Sequence, residues 1–311
     1  MNQQWTQARG AFAALLAPPA LFLIAFFLVP LGIVWLYSFG ETQGLTEVAV
    51  TGTLHNYAAA ASPLYLGVLI KSLLIGAVVT VLCLIAGFPT ALAIAFASPR
   101  LKLWLLVLIM MPFWTNLLIR TYALIAVLRD EGYVNFALGG GWKATAALLA
   151  PIGVKLAPFQ PFELLHNDFA VVFGLLYVQL PFMVLPLYAA LDRMDRSLIE
   201  ASLDLGAGQL RTLRSIVLPL AMPGVISGVI LTFIPSAGAF LTPDLLGGPG
   251  SQMIANVIER QFKRANDWPF GSALSFVLMY LTLAGIAAQA WLQRRRTTPP
   301  RWSEAERGRT R

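Results

Sequence analysis

The chain of 311 residues is 58% hydrophobic and only 12% charged, and it carries a net charge of +7. Soluble domains hold about a quarter charged residues, so this composition makes a lipid bilayer the expected solvent. The basic residues flank apolar runs instead of forming a stripe interleaved with aromatics, which argues against a nucleic-acid partner; the single cysteine, Cys83, excludes an internal disulfide and a cysteine-based metal centre.

A bilayer core of about 30 Å takes about 20 apolar residues of helix. Uncharged apolar windows of suitable length run at 11–37, 72–97, 103–119, 169–191, 215–243 and 268–293. A charge at a helix centre costs about 2.5 to 3.5 kcal/mol on insertion scales, so clean windows of this length are informative. The fold predicted is all-α and membrane-embedded, with six transmembrane helices. No cleavage pattern follows the first window, so it stays as an anchor. Pro18 and Pro19 near its start predict a helix beginning or a kink. Residues 48–70 are also uncharged, but Thr51, Thr53, His55, Asn56, Ser62 and Pro63 make them an external loop or a surface helix.

The third window is the shortest. Trp114, Asn116, Arg120 and Tyr122 gather towards its outer end, as an exit lining or as interfacial anchors. Arg120 there either snorkels or faces protein. The stretch Gly139-Gly140-Gly141-Trp142-Lys143 lacks the ending of a phosphate-cradling loop, where Gly precedes Lys and Ser or Thr follows, and it predicts an external glycine turn. The run 144–154 is too short to span. In the fourth window, Gln179 is a polar group at membrane depth, of the kind that faces a bundle interior.

Between the fourth and fifth windows lies a polar segment, 195–219. Leu198, Ala201, Ser202 and Leu205 recur at helical spacing, with Asp195, Arg196, Glu200 and Asp204 on the remaining surface. Asp195 or Ser197 suits the helix start, and Gly206 suits a left-handed end. A second short helix over about 208–217 leads to Leu218-Pro219, where Pro219 opens the next span. In that span, Gly224 and Gly228 permit close helix packing. Thr232 and Ser236 are further polar groups at depth, each able to bond back to its own helix instead. Pro235 and Pro243 predict a kink or break, which makes 232–244 the best pathway segment, since broken backbone is tolerated where it lines a cavity. Asp244 follows Pro243 and can cap a turn.

Lys and Arg place the ends. Fourteen of the 22 lie at Arg9, in the connections beginning at Arg100, Arg193 and Arg211, and from Arg294 to Arg311. That side is predicted cytoplasmic, with both termini; 38–71, 120–168 and 244–267 lie outside. The chain divides into an N-terminal anchor and outer loop (1–68), a membrane domain (69–291) and a basic tail (292–311).

Glu200-Ala201-Ser202, Gly206 four residues on, then Ile216-x-Leu218-Pro219 resembles the coupling loop of ATP-binding-cassette importer permeases, with Ser202 standing where the family pattern has a second alanine. The resemblance implies a type I importer membrane domain over 69–291. It also implies that Glu200, Ala201, Ser202, Gly206, Ala207, Ile216, Leu218 and Pro219 meet a cytoplasmic ATPase. The stretches "MPFWTNLLIRTYAL", "YVQLPFMVLPLYAAL", "FIPSAGAFLTPDLLGG" and "NDWPFGSA" resemble permeases of the polyamine (spermidine/putrescine) group. This likeness implies a bacterial inner-membrane complex with a second permease, two ATPase subunits and a periplasmic solute-binding protein. ATP and magnesium would sit on the ATPase and no cofactor or metal on this chain. Ala239 replaces an acid common in such permeases. The cation would then rely on Asp244, on the sister subunit or on the rings of Trp114 and Tyr122; otherwise the solute is another small organic molecule, such as an opine-like or amino-acid derivative.

A stand-alone secondary transporter is the reading from another class. It would favour inverted repeats and a membrane-embedded acid, and no carboxylate falls inside the windows. His55 and His166 stand far apart, so no catalytic or metal cluster is visible and no enzyme is predicted.

Overall fold

The computed structural model describes residues 9–44, 47–149 and 157–296; most of the expected basic tail and the end of the 144–154 run lie outside these. The chain forms two compact units, one from the stretches up to Leu66 and from Val257, the other Gly67–Asn256. Among the described residues, five helices are long and apolar enough to cross a membrane, or six when one bent pair counts as a span.

The first unit begins with α1 (Arg9–Leu23), a wide π turn (Ile24–Leu28) and α2 (Val29–Tyr37). Pro18 and Pro19 lie inside α1 and do not start it, a correction to the sequence reading. The distortion comes later, ahead of Pro30. A proline ring presses on the carbonyl four residues back and offers no N–H, and the π turn, closed by Val29 N–H on Ile24 O, is the local adjustment. An antiparallel hairpin, β1 (Gly40–Gln43) and β2 (Glu47–Val50), precedes α3 (His55–Ala60). Asn56 fastens them by donating to Ser38 O at 3.1 Å and Gly40 O at 2.8 Å. The last helix among the described residues, which packs on α2 and α3, is Trp268–Arg296; Trp35 Nε1 donates to its Tyr280 hydroxyl at 2.9 Å.

The second unit is built around α4 (Pro63–Phe96, from Gly67 onward). The chain continues through α5 (Pro99–Met110), α6 (Leu117–Leu128), α7 (Tyr133–Leu149), α8 (Asp168–Asp192), α9 (Ser197–Asp204), α10 (Gln209–Thr212), α11 (Leu218–Ala237) and α12 (Leu241–Leu246). The core joins Val79, Cys83 and Ile94 of α4 to Leu175, Met183 and Leu187 of α8 and to Ala221 of α11. Both ends of α8 are pinned: Lys71 Nζ lies 2.9 Å from Asp168 Oδ1, and Lys102 Nζ lies 2.6 Å from Asp192 Oδ1.

The third predicted span is not one straight helix. After α5 the chain tightens into a 3₁₀ turn (Met111–Trp114) and then bends by 98° before α6. Pro112 cannot continue an α-helical ladder, and Asn116 restarts the helix by accepting the Leu118 N–H at 2.8 Å. The three glycines expected in a turn lie within α7 instead. Gly139 backs onto Phe159, where a Cβ would come within 3.1 Å of the ring, so one of the three has a packing reason.

Candidate functional site

The loop after α8 is fixed by its own backbone chemistry. Asp195 Oδ1 accepts the Ser197 N–H at 3.0 Å, opening α9, and hydrogen bonding from Ser197 holds the Asp195 carboxyl below its ordinary range. At the other end Leu205 N–H donates to Ala201 O and Ala207 N–H to Ser202 O, each at 3.1 Å. Gly206 sits between them at φ +82°, the left-handed conformation that its position suggested. Nothing lies within 4 Å of a Cβ built there, so the requirement is for backbone freedom alone.

Two features differ from the sequence reading. The inward stripe of α9 is Ile199 and Ser202, while Leu198, Ala201 and Leu205 face outward with Leu203. Ile199 packs against the core cluster and so sets the rotation of this two-turn helix. Leu205 is left 88% exposed, and Glu200 is exposed as well. The second short helix, moreover, does not stop before Pro219. α10 runs through a π turn (Leu213–Val217) into α11 as one helix, Gln209–Ala237. The wide turn, closed by Leu218 N–H on Leu213 O, makes room for Pro219 so that it continues a helix where it was expected to begin one. Ile216 is half-buried there, and Leu218 and Pro219 are exposed. Ser202 Oγ lies 2.9 Å from Thr212 Oγ1, which links α9 to α10.

The polar residues at depth lie on the seam between α8 and α11. A Cβ on Gly224 would come within 2.7 Å of Pro186 O and of Ala190 Cβ, and one on Gly228 within 2.7 Å of Met183 Sδ. The two glycines therefore identify α8 as the helix they were suited to approach. Four residues up α11 from Gly228 is Thr232, and four residues back along α8 from Met183 is Gln179, so the same register carries these two to one level. Thr232 is fully buried and Gln179 is 4% exposed. Neither Thr232 Oγ1 nor Gln179 Oε1 has a hydrogen-bond partner, whereas Ser236 Oγ donates to Thr232 O at 2.6 Å. Leaving such a buried oxygen unmatched costs about 1 to 3 kcal/mol, which sets the pair apart from ordinary core.

α11 ends at Ala237, two residues beyond Pro235, and the chain breaks at Gly238 before α12. Pro243 sits in the first turn of α12, where no N–H is needed, and so does not make the break. Asn256 braces the broken segment, donating to Phe240 O at 3.0 Å and accepting the Met253 N–H at 3.1 Å. Asp244 is exposed on α12, whose Thr242 and Leu246 lie against Gly174 of α8. The four residues gathered from the third window point apart. Trp114 and Tyr122 are 77% and 58% exposed, and Asn116 is spent on its cap. Arg120 is buried, does not snorkel, and donates to Thr115 O at 2.9 Å with its Nε unpartnered.

Sequence reasoning set Arg196 only on the outer surface of its helix and passed over Ile199, Thr212 and Asn256, which shape these segments. Thr212 had no periodic signal to expose it, since its partner is ten residues away across a turn. Asn256 carried a weak one, as a polar residue in an otherwise apolar stretch.

Residues 84–298 match the family described as binding-protein-dependent transport system inner membrane component. The spermidine/putrescine transport system permease protein PotB of Haemophilus influenzae is 38% identical over 259 residues, covering 83% of this chain and 86% of that protein. PotB of Escherichia coli K12 is 39% identical over 241 residues, 78% of this chain and 82% of that protein. The inner membrane ABC transporter permease protein YdcU of E. coli K12 is 32% identical over 282 residues, 88% of this chain and 86% of that protein. Among solved structures, the bacterial alginate ABC transporter in complex with an alginate pentasaccharide-bound periplasmic protein gives a TM-score of 0.69 at 16% identity, over 96% of this chain and 99% of that chain. That likeness concerns the fold.

Proposed function

The chain belongs to the binding-protein-dependent transport system inner membrane component family, and from that premise we propose that it forms half of the pathway by which an ATP-driven importer moves spermidine, putrescine or a related small cation across the bacterial inner membrane. The observation that carries the solute class is the 38–39% identity to spermidine/putrescine permeases over about four-fifths of the chain. On this reading a second permease supplies the other half of the pathway, a periplasmic binding protein delivers the solute, and two cytoplasmic ATPase subunits hydrolyse ATP. The chain itself catalyses nothing and binds no cofactor.

The charge asymmetry supports a cytoplasmic position for α9 and both termini. α9 then offers exposed Glu200, Leu198 and Leu205 to the ATPase, and the Gly206 turn passes its movement into α11. The unmatched oxygens of Gln179 and Thr232 are the groups in the seam with capacity left for an ammonium. They are neutral, and Ala239 brings no carboxylate, which favours a second reading in which a less charged organic solute is carried by the same machinery.

Reconstitution tests the proposal. Vesicles holding this chain, its sister permease, the ATPase and the binding protein take up radiolabelled spermidine with ATP, and vesicles holding this chain alone neither hydrolyse ATP nor take it up. Glu200→Lys abolishes uptake while the protein stays in the membrane. Uptake by the chain alone on an ion gradient would replace the importer by a secondary transporter, and ATP-driven uptake of a different solute would support the second reading.

A further inference from the structure

Arg196 joins two elements that are distant in sequence. α4 ends at Phe96, and the last carbonyls of any helix lack intrahelical donors. Arg196 supplies one: its guanidinium donates to Ala95 O at 3.1 Å. The same group lies 5.3 Å from the centre of the Phe96 ring, a cation–π contact, and a cation at a helix C-terminus is favoured by the helix dipole. Its backbone carbonyl meanwhile accepts the Ile199 N–H at 3.0 Å and the Glu200 N–H at 3.1 Å, the first bonds of α9. One residue thus starts α9 and closes α4.

Beside the apolar contact of Ile199 with the core, a second polar link from α9 runs through Ser202 to Thr212 and reaches α10 and α11. The two polar links that hold α9 are therefore of different kinds. Ser202–Thr212 is a single neutral hydrogen bond between residues on one local turn. Arg196–Ala95 is charge-assisted, spans 101 residues of sequence, and is reinforced by the ring beneath it. Charge-assisted bonds are about twice as strong as neutral ones, so when α9 moves the α4 attachment resists slipping. α4 in turn carries Val79, Cys83 and Ile94 into the core shared with α8.

We propose that Arg196 is a positioning residue that conveys displacement of α9 to the inner end of α4, so that the ATPase stroke reaches the bundle by a second route besides α11. The inference rests on the reading of α9 as the coupling helix and adds a residue and a destination to it. It requires α4's end to move when α9 moves, and to stop moving when the Arg196 attachment is cut.

The test uses the full complex and needs no knowledge of the solute. Cys83 is fully buried, so the natural chain gives a quiet background for maleimide labelling. One thiol is placed at the C-terminal end of α9 (Leu205→Cys) and another just past α4 (Ser98→Cys), both at exposed positions. Trapping the ATPase with vanadate is expected to change the labelling rate at both. With Arg196→Gln added, the response at Leu205→Cys stays and the response at Ser98→Cys is lost. A Ser98→Cys response that survives Arg196→Gln, or that is missing with Arg196 intact, overturns the proposal. A Leu205→Cys thiol that never responds instead overturns the reading of α9 itself. Should Arg196→Gln fail to assemble with the ATPase, Arg196→Lys takes its place. It keeps the cation without the planar stack, and it is expected to weaken the Ser98→Cys response; an undiminished response or a second failure to assemble makes Arg196 merely structural.

Discussion

The N-terminal span and the α8–α11 seam are both apolar, yet they are made for different neighbours. The most apolar 18-residue stretch of Phe12–Tyr37 has a mean hydropathy of 2.5 and none of it is buried within the chain, whereas that of Asp168–Asp192 has 2.0 and is 50% buried. In water the greasier segment would be the core. In a bilayer the tails are as apolar as leucine, and helices associate through small residues that admit close backbones and through polar groups. Gly224 and Gly228 meet α8 at such distances, while nothing lies within 4 Å of a Cβ on Gly32 in the first span. Hydropathy alone does not separate lipid-facing from protein-facing helix, since the most apolar stretch of α4 reaches 2.7 and is still 39% buried; between these two regions it is glycine and oxygen that mark what faces protein.

The comparison breaks most readily at the glycines. Gly228→Leu or Gly224→Leu drives a side chain into Met183 or Pro186 and is expected to cost about 3 kcal/mol or more, read as loss of a single species on size exclusion or a lowered melting point. Gly32→Leu is expected to leave both unchanged; equal damage at all three positions would erase the distinction. The double change Gln179→Leu with Thr232→Val removes two unmatched buried oxygens. Stability should hold or rise by about 1 kcal/mol, while uptake falls about tenfold or more if those oxygens meet a cation. A fall in melting point with uptake intact would assign the pair to packing. Ser202→Ala gives up the Ser202–Thr212 bond for about 1 kcal/mol, measurable by thermal unfolding in detergent. Smallest of all, Leu21→Ala on the exposed first span should shift stability by under about 0.5 kcal/mol.

The same contrast explains what the sequence disclosed. Spans appear as apolar windows because bilayer thickness imposes their length, and all six windows overlay helix. Gly206 was legible because a left-handed turn admits few residues. The helix–turn–helix from Glu200 to Pro219 was legible as a spacing, but the rotation of α9 was not, since Ile199 and Leu198 are equally apolar and only the core chooses between them. The prolines misled most. Pro18 and Pro19 sit in continuous helix, and so does Pro219, for which a π turn makes room, whereas the break within the third window combines Pro112 with the Asn116 cap. Gln179 and Thr232 were legible as polar residues at depth, but that they share a level depends on how deeply Gly224 and Gly228 let α11 sink into α8.

The lysine–aspartate bridges at the two ends of α8 have a consequence for the lipid. A helix of 25 residues is about 37 Å long, a little more than the hydrocarbon thickness, so each bridge falls near a headgroup plane. α8 cannot slide along the membrane normal without dragging an ion pair into oil, and it acts as a gauge of acyl length. In vesicles of much shorter or longer tails, tilting and bilayer deformation must absorb the mismatch, and transport should fall on either side of the matched thickness.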